Sequence, residues 1–248
     1  MFNDINIGPI TIHLYGLFIG LGFLSALVIS SKRAKNRNLN DDIVTGIFYC
    51  AIVGGFLGCR ILYYITEFPS ILKDPSILWD FRNGYVVYGG IIGGILASMI
   101  FCRAKKVVFL DYFDVVAPSI SFAQCLGRIG CFCAGCCYGK PTNAWYGIAF
   151  KNSTHGPNNI KMIPTQLISS AGDLVIFGLL MLYSSKKPSR GKTAAMYIVL
   201  YGIGRFAIEF LRYDYRGSIG FLSTSQIISI VMVSIGLVML AILNKNNR

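Results

Sequence analysis

The chain has 248 residues, of which 54% are hydrophobic and 14% charged, and its formal net charge is +12. Soluble domains carry about 25% charged residues, so this composition excludes a soluble globular enzyme, and it also excludes a disordered chain. The basic residues lie in short loops between apolar segments. This placement excludes a nucleic-acid-binding protein and indicates a membrane protein with basic cytoplasmic loops.

Seven apolar segments are long enough to cross a bilayer as helices, which takes about 20 residues. They are continuous, whereas the strands of membrane barrels alternate over about 10 residues. The sequence therefore predicts an all-α, polytopic membrane protein that forms a single transmembrane domain over residues 1–248. The predicted spans cover residues 10–30, 43–66, 85–102, 112–135, 165–185, 193–211 and 223–243. The fourth span contains Gly127, Arg128 and Gly130, so we expect it to end early or to break there.

The basic residues also predict the orientation of the chain. They are concentrated in the loops after the first, third and fifth spans and in the C-terminal tail, and they are fewer in the alternate, longer loops. Because Lys and Arg accumulate on the cytoplasmic side, the N-terminus is expected outside and the C-terminus in the cytoplasm. No basic residue precedes the first span, so it is expected to be retained rather than cleaved as a signal peptide.

Three arginines, Arg60, Arg128 and Arg205, fall inside the apolar segments, and each has glycine beside it or within two residues. A charge at the bilayer centre costs about 2.5–3.5 kcal/mol on insertion scales, so such residues are expected to face a polar cavity or a partner. A guanidinium fork fits a phosphate, such as that of a phospholipid headgroup. Two alternatives stay open: Arg60 and Arg205 could extend to the membrane surface, or Arg205 could pair with Glu209, which shares a helix face with it and Tyr201.

Acidic residues and glycines fall in the apolar segments as well. Asp114, near the start of the fourth span, is expected to act as a helix N-terminal charge. Asp173 could pair with an arginine or act as a base, and the sequence does not rank these roles. Residues 89–94 contain two overlapping patterns of small residues four apart, which favours close helix packing over contact with a ligand.

Four of the eight cysteines lie between positions 131 and 137. A disulfide, a metal held through the Cys133-x-x-Cys136 spacing, a nucleophilic thiol beside Arg128 and simple packing all fit this segment. The sequence offers no second pair of ligands and few histidines, so packing is favoured and no metal or other cofactor is expected.

A set of short motifs, taken in chain order, resembles the bacterial prolipoprotein diacylglyceryl transferases over nearly the whole length. The motifs are Ile7-Gly-Pro-Ile, His13-Leu-Tyr-Gly, Gly58-Cys-Arg60-Ile, Tyr88-Gly-Gly-Ile-Ile-Gly-Gly, Gly127-Arg-Ile-Gly-Cys-Phe, Pro164-Thr-Gln-Leu, Tyr201-Gly-Ile-Gly-Arg205 and Glu209-Phe-Leu-Arg. The resemblance implies an enzyme that moves the diacylglyceryl group of phosphatidylglycerol to the lipobox cysteine of a preprolipoprotein signal peptide. A thioether would form, glycerol phosphate would leave, and the site would lie toward the outer face of the bacterial cytoplasmic membrane.

The resemblance also implies roles for the residues of these motifs. Arg128 and Arg205 are expected to hold the phosphate and to stabilise the departing oxygen, while Arg60 helps to build the cavity and Tyr15 lines it. The expected catalytic residues are Arg128, Arg205, Tyr88 and Glu209. The expected substrate-binding residues are Arg60, Tyr15, Gly127, Gly130, Cys131, Tyr201, Gly89 and Gly90.

The sequence departs from the family pattern where protons would be handled. The family usually has histidine at the positions of Tyr88 and Ile163, asparagine at that of Cys131 and glutamate at that of Cys136. A phenol is a poorer base than an imidazole at neutral pH. Three interpretations stay open: unchanged chemistry in which Tyr88 or Glu209 activates the thiol, a diverged paralogue with another thiol acceptor, and a non-catalytic lipid-binding protein. A small-solute transporter is the interpretation from a different class.

Overall fold

The computed structural model describes residues 4–7, 10–80, 84–151, 153, 156–214 and 217–245. Gly8 and Pro9 of the first motif, and His155, lie outside these residues. The described residues form eight α-helices, which are α1 (Leu14–Asn36), α2 (Asp41–Thr66), α3 (Phe68–Lys73), α4 (Val87–Ala104), α5 (Phe109–Ala134), α6 (Thr165–Ser185), α7 (Lys192–Glu209) and α8 (Thr224–Lys245). A 3-10 turn, Pro75–Trp79, follows α3.

Three antiparallel strand pairs complete the described structure. They are β1 (Asp4–Ile7) with β2 (Ile10–His13), β3 (Ile148–Ala149) with β4 (Lys161–Met162), and β5 (Ser218–Ile219) with β6 (Leu222–Ser223). All six strands are four residues or shorter, so helices carry the architecture.

Six helices are long and apolar enough to cross a membrane, which confirms the prediction of an all-α polytopic protein. They are α1, α2, α4, α5, α6 and α8. The segment predicted as the sixth span is also helical, as α7, but its 18 residues include Lys192, Arg205 and Glu209. Because α7 is only 18 residues long, its single 18-residue stretch contains all three charges, whereas each of the six other helices has an 18-residue stretch with at most two. The orientation of the chain stays a prediction.

The helix boundaries follow the predicted spans with two instructive differences. The first span was expected from residue 10, but Ile10–His13 pairs with Asp4–Ile7 as a hairpin, so α1 begins at Leu14 and continues through its basic residues to Asn36. Lys, Arg and Ala are strong helix formers, which accounts for the extension. The expected break at Gly127–Gly130 is wrong, since α5 continues to Ala134. Gly130 packs against Tyr15 and Phe18 of α1, and this contact supports the helix where its glycines would weaken it.

The chain divides into two compact units, one formed by Met1–Ser30 with Phe113–Arg248 and the other by Ser31–Tyr112. The prediction of a single transmembrane domain stays a prediction, and each unit is described by itself.

The unit of Ser31–Tyr112 is built on close contact between α2 and α4. A methyl group placed on Gly89 would lie 2.2 Å from the carbonyl oxygen of Gly58, and one on Gly93 would lie 2.3 Å from that of Gly54. The two backbones therefore approach too closely for any side chain at these positions. This confirms the helix-packing role that the pattern of small residues favoured.

The other unit packs α5, α6 and α7 around a small apolar core, and α8 packs against α7. Ala117, Ile176, Leu180 and Tyr197 are buried together there. The carboxylate of Asp114 accepts hydrogen bonds from the backbone N–H groups of Gly191 (2.6 Å) and Ala194 (2.8 Å) at the start of α7.

Asp114 was expected to serve the start of its own helix. It lies instead in the second turn of α5 and satisfies donors at the N-terminus of α7. The chemistry is that of a helix N-terminal charge, but the helix that it stabilises is a different one.

Candidate active site

A cavity of about 280 Å³ lies in the unit formed by Met1–Ser30 and Phe113–Arg248. Its polar wall combines Arg128 of α5, Asp173 of α6, and Tyr201 and Arg205 of α7, and its other lining residues are apolar or small. Three residues selected from the sequence, Arg128, Tyr201 and Arg205, are therefore brought together although up to 77 positions separate them.

Arg128 presents its guanidinium to this cavity with little competition from the protein. Across the described part of the chain no hydrogen bond engages its nitrogens, while its charge acts on Tyr201, Cys131 and Asp173. The donors of Arg128 are thus available to an anionic ligand. A planar fork of this kind binds a phosphate through two parallel hydrogen bonds.

Arg205 is held in place by its neighbours. Its Nη1 lies 2.7 Å from Glu209 Oε2, as an ion pair without the alignment of a hydrogen bond, and its Nη2 donates to Ser225 Oγ at 2.8 Å. The Arg205–Glu209 pair expected from the spacing is confirmed. Because Arg205 also lines the cavity, it combines this pairing with a place at the candidate site.

Glu209 is less available for proton transfer than its position in the sequence indicates. Its side chain is only 8% exposed, and Arg212 Nε approaches the same carboxylate at 3.9 Å. Two guanidinium groups therefore lie within ion-pair distance of this carboxylate. This arrangement favours a positioning role for Glu209 over that of a base.

Asp173 is the residue of the cavity whose role the sequence did not rank. It is buried, and among the described residues its Oδ2 has no hydrogen-bond partner. A buried carboxylate oxygen without a partner carries a desolvation cost of about 1–3 kcal/mol or more, so it is a typical position for contact with a ligand or a transferred proton. Arg128, whose charge acts on Asp173, lines the same cavity.

The aromatic wall of the cavity is fixed by stacking. The rings of Tyr201 and Tyr197 stack with centroids 5.8 Å apart, and the hydroxyl of buried Tyr197 donates to Gln124 Oε1 at 3.1 Å. Tyr197 thus orients the ring of Tyr201 beside the two arginines.

The two glycines around Arg128 have different surroundings. A methyl group on Gly127 would meet nothing within 4 Å, whereas one on Gly130 would lie 3.3 Å from the backbone oxygen of Tyr15 and 3.2 Å from Phe18 Cβ. Gly127 has open space beside it, and its part in substrate binding stays a prediction. Gly130 makes a helix contact with α1, and its part in substrate binding stays a prediction.

Tyr15 and the cysteine segment meet at the end of α5. Tyr15 is about half exposed, and the groups that act on it electrostatically are Cys131, Cys136, Cys137 and Arg128. Tyr15 is not among the residues that line the cavity, and its expected role in lining the site stays a prediction.

The cysteine segment differs from the expected arrangement. The sulfur atoms of Cys131, Cys136 and Cys137 lie within 4.8 Å of one another, whereas the sequence singled out Cys133 and Cys136. The described cysteines form no disulfide. Hydrogen bonds that the Cys136 thiol donates to the neighbouring sulfurs of Cys131 and Cys137, together with burial, raise the pKa of the Cys136 thiol well above its ordinary value.

Arg60 lies in the unit of Ser31–Tyr112, and its donors are taken by the protein. It donates to Tyr64 Oη (2.7 Å) and to the carbonyl oxygens of Gly84 (3.3 Å), Ile77 (3.3 Å) and Leu78 (3.2 Å). Its guanidinium also lies 4.7 Å from the centroid of the Tyr64 ring. These contacts favour a role in holding the loop between α3 and α4 over direct binding of a phosphate.

Tyr88, Gly89 and Gly90 also lie in this unit, in the first turn of α4. Tyr88 is 42% exposed. The glycines face α2, since a methyl group on Gly90 would lie 2.4 Å from Cys59 Sγ. Their observed role is packing, and their contribution to catalysis or substrate binding stays a prediction.

Two polar residues at the start of α6 support the cysteine segment and had no predicted role. Thr165 Oγ1 donates to the Cys137 carbonyl and Gln166 Nε2 to the Cys136 carbonyl, both at 2.7 Å. Both side chains are buried. The signal was present in the Pro164-Thr-Gln-Leu motif, because adjacent polar residues at the start of an apolar helix need partners.

Comparison with known proteins gives a consistent result. The sequence profile of the prolipoprotein diacylglyceryl transferase family matches residues 4–242. The chain is 44% identical to phosphatidylglycerol–prolipoprotein diacylglyceryl transferase of Clostridium tetani over 226 residues, or 91% of each chain. It is 43% identical to transferase 2 of Clostridium perfringens, covering 94% of this chain and 91% of the relative. It is 35% identical to the Clostridioides difficile enzyme, covering 96% and 94%.

Proposed function

The chain belongs to the prolipoprotein diacylglyceryl transferase family, and on that basis we propose that it transfers the diacylglyceryl group of phosphatidylglycerol to the lipobox cysteine of a preprolipoprotein. The single observation that best supports this activity is the cavity lined by both Arg128 and Arg205. A membrane-embedded site with two guanidinium groups, one of which makes no hydrogen bond to the described residues, fits a lipid whose headgroup carries a phosphate.

The reaction divides into phosphate stabilisation and thiol activation. The acceptor sulfur attacks the carbon of the diacylglyceryl group that is bonded to the phosphate oxygen. A C–S bond forms at this carbon, and its C–O bond to the phosphate breaks. The electron pair of that bond leaves on glycerol phosphate, where Arg128 and Arg205 stabilise the developing negative charge. Such preorganised donors commonly contribute about 10²–10³ in rate.

The proton of the acceptor thiol needs a destination. Asp173 is our candidate, since its partnerless oxygen and Arg128 belong to one cavity. A carboxylate within hydrogen-bond reach of a thiol can accept its proton as the sulfur attacks. Tyr88 remains the candidate from the family comparison.

We place the enzyme in the bacterial cytoplasmic membrane with the site toward the outer face. The distribution of basic residues supports this orientation, because the loops after the first, third and fifth predicted spans and the C-terminal tail together carry 13 of the 23 Lys and Arg residues. A preprolipoprotein crossing the membrane would then present its lipobox cysteine at the same outer face.

The test is a transfer assay with purified protein in nanodiscs that contain phosphatidylglycerol, with a synthetic lipobox peptide as acceptor. Mass spectrometry measures the diacylglyceryl adduct on the peptide cysteine. We expect Arg128→Gln to lower the rate by about 10²–10³, and the exposed Arg103→Gln to leave it unchanged as a matched control. No adduct with the folded wild-type protein, or full activity in Arg128→Gln, would contradict the proposal.

A further inference from the structure

The steps of the proposed transfer do not use the cysteine triad formed by Cys131, Cys136 and Cys137, although the expected contact of Cys131 with the substrate stays a prediction. The three sulfur atoms of the triad lie within 4.8 Å of one another and are partly exposed. Three thiolates bound to one ion lie at comparable separations, since metal–sulfur bonds are about 2.3 Å. Partial exposure leaves a path by which an ion can enter.

The backbone is shaped to bring these three sulfurs together. Helix α5 ends at Ala134, and Gly135 and Cys137 then adopt left-handed conformations with φ of 66° and 62°. This reversal turns Cys136 back, so that its backbone N–H donates to the Cys131 carbonyl at 3.2 Å. A left-handed cysteine is uncommon and costs about 1–3 kcal/mol, which persists only where the surroundings enforce it.

The surroundings do enforce this conformation. Buried Thr165 and Gln166 hold the carbonyls of Cys137 and Cys136, and the hydroxyl of Ser153 donates to the Gly135 carbonyl at 3.0 Å. The backbone of the triad is therefore held in place before any ion binds. Metal sites commonly depend on such support from the residues around the ligands.

Two guanidinium groups balance the charge that three thiolates would carry. Arg128 acts electrostatically on Cys131 and Cys137, and the Arg212 side chain hydrogen-bonds to Cys137. Three thiolates around a divalent ion leave one net negative charge, and around a monovalent ion two. The neighbouring cations would therefore partly balance the negative charge of the metal-bound triad.

We propose that Cys131, Cys136 and Cys137 form a binding site for one thiophilic d10 metal ion, Zn²⁺ or Cu⁺. Sulfur-only ligation selects these ions over Mg²⁺ or Ca²⁺. Three ligands complete a trigonal Cu⁺ site, whereas tetrahedral Zn²⁺ keeps a fourth position for water or another ligand. Binding replaces the proton of each of the three thiols by a metal–sulfur bond and releases three protons. The site rests on geometry alone and does not depend on the proposed transferase activity.

The experiment titrates Cd²⁺, a spectroscopic probe for thiolate sites, into the reduced full-length protein in detergent. We expect one Cd²⁺ per chain and a sulfur-to-cadmium charge-transfer band in the ultraviolet. Alkylation followed by peptide mass spectrometry should show that Cd²⁺ protects Cys131, Cys136 and Cys137 and leaves Cys133 reactive. This measurement on the wild-type protein does not depend on any variant folding.

Variants then identify the ligands. Serine at any one triad position should weaken Cd²⁺ binding by at least about 100-fold, since even outer-shell changes cost 10–100-fold. Cys133→Ser is the matched control in the same segment and should bind as the wild type does. Displacement of Cd²⁺ by stoichiometric Zn²⁺ would assign a zinc site, and displacement by Cu⁺ alone would assign a copper site. The absence of the band, a band retained when all three cysteines are replaced, or a disulfide within the triad in protein isolated without reductant would overturn the proposal.

Discussion

Replacing Arg205 with glutamine should destabilise the protein through the carboxylate that it leaves behind. The side chains of Arg205 and Glu209 are 13% and 8% exposed, and their charged atoms are 2.7 Å apart. Removing one partner of a buried ion pair typically costs about 3–5 kcal/mol. Arg212 Nε, 3.9 Å from the same carboxylate, retains part of the compensation, so we expect a loss of about 3 kcal/mol in the free energy of unfolding.

Denaturant titration in mixed micelles measures this loss, and two further variants test its cause. The double variant Arg205→Gln, Glu209→Gln should regain most of the lost stability, because no buried charge is then unpaired. Arg128→Gln is the matched control in the same cavity. Its guanidinium has no protein hydrogen bond within the described chain, so its loss should change stability by less than about 1 kcal/mol. An Arg205→Gln variant as stable as Arg128→Gln, or a double variant no more stable than the single one, would refute the reasoning.

Three further substitutions test other parts of the structure. Gly89→Ala should destabilise the protein by about 2 kcal/mol, because its methyl group would lie 2.2 Å from the Gly58 carbonyl oxygen. The control Gly55→Ala, whose methyl group would have its nearest contact at 3.5 Å, should be neutral or stabilising. Equal stabilities of the two variants would contradict this prediction. Asp114→Asn should lower the free energy of unfolding by about 2 kcal/mol, since the start of α7 loses a charged acceptor, and an unchanged denaturation midpoint would argue against that role. Tyr88→His should retain or raise the rate of peptide modification in the transfer assay, and a loss of activity would assign Tyr88 a role of its own.

The sequence predicts what depends on local spacing and on apolar length. Helix α6 begins at Thr165 and ends at Ser185 as expected, and the Arg205–Glu209 pair follows from residues four apart on a helix. The sequence could not show that Asp173 has a buried oxygen without a hydrogen-bond partner among the described residues. Its burial depends on neighbours that are distant in the chain.

Long-range contacts and chain reversals were beyond the sequence. Asp114 contacts a helix end 77 residues away, and no local pattern marks that partner. The cysteine spacing pointed to Cys133, but the left-handed backbone at Cys137 instead joins Cys131, Cys136 and Cys137. Such a conformation is rare for cysteine, so residue preferences alone would not predict it.

The hydrogen bonds of Asp114 also join the two helices that carry the cavity arginines. On α5, Arg128 follows Asp114, and on the segment of α7, Arg205 follows Gly191, which donates to Asp114. The same number of residues separates the two positions in each pair. At 1.5 Å per residue, each of these two helix segments is about 21 Å long. The Asp114 carboxylate thus joins two helix segments of equal length, each of which ends at a cavity arginine. A residue inserted into either segment would move the arginine at its end along the helix axis and rotate it about that axis by about 100°. The number of residues in each segment therefore helps to determine where the two guanidinium groups lie.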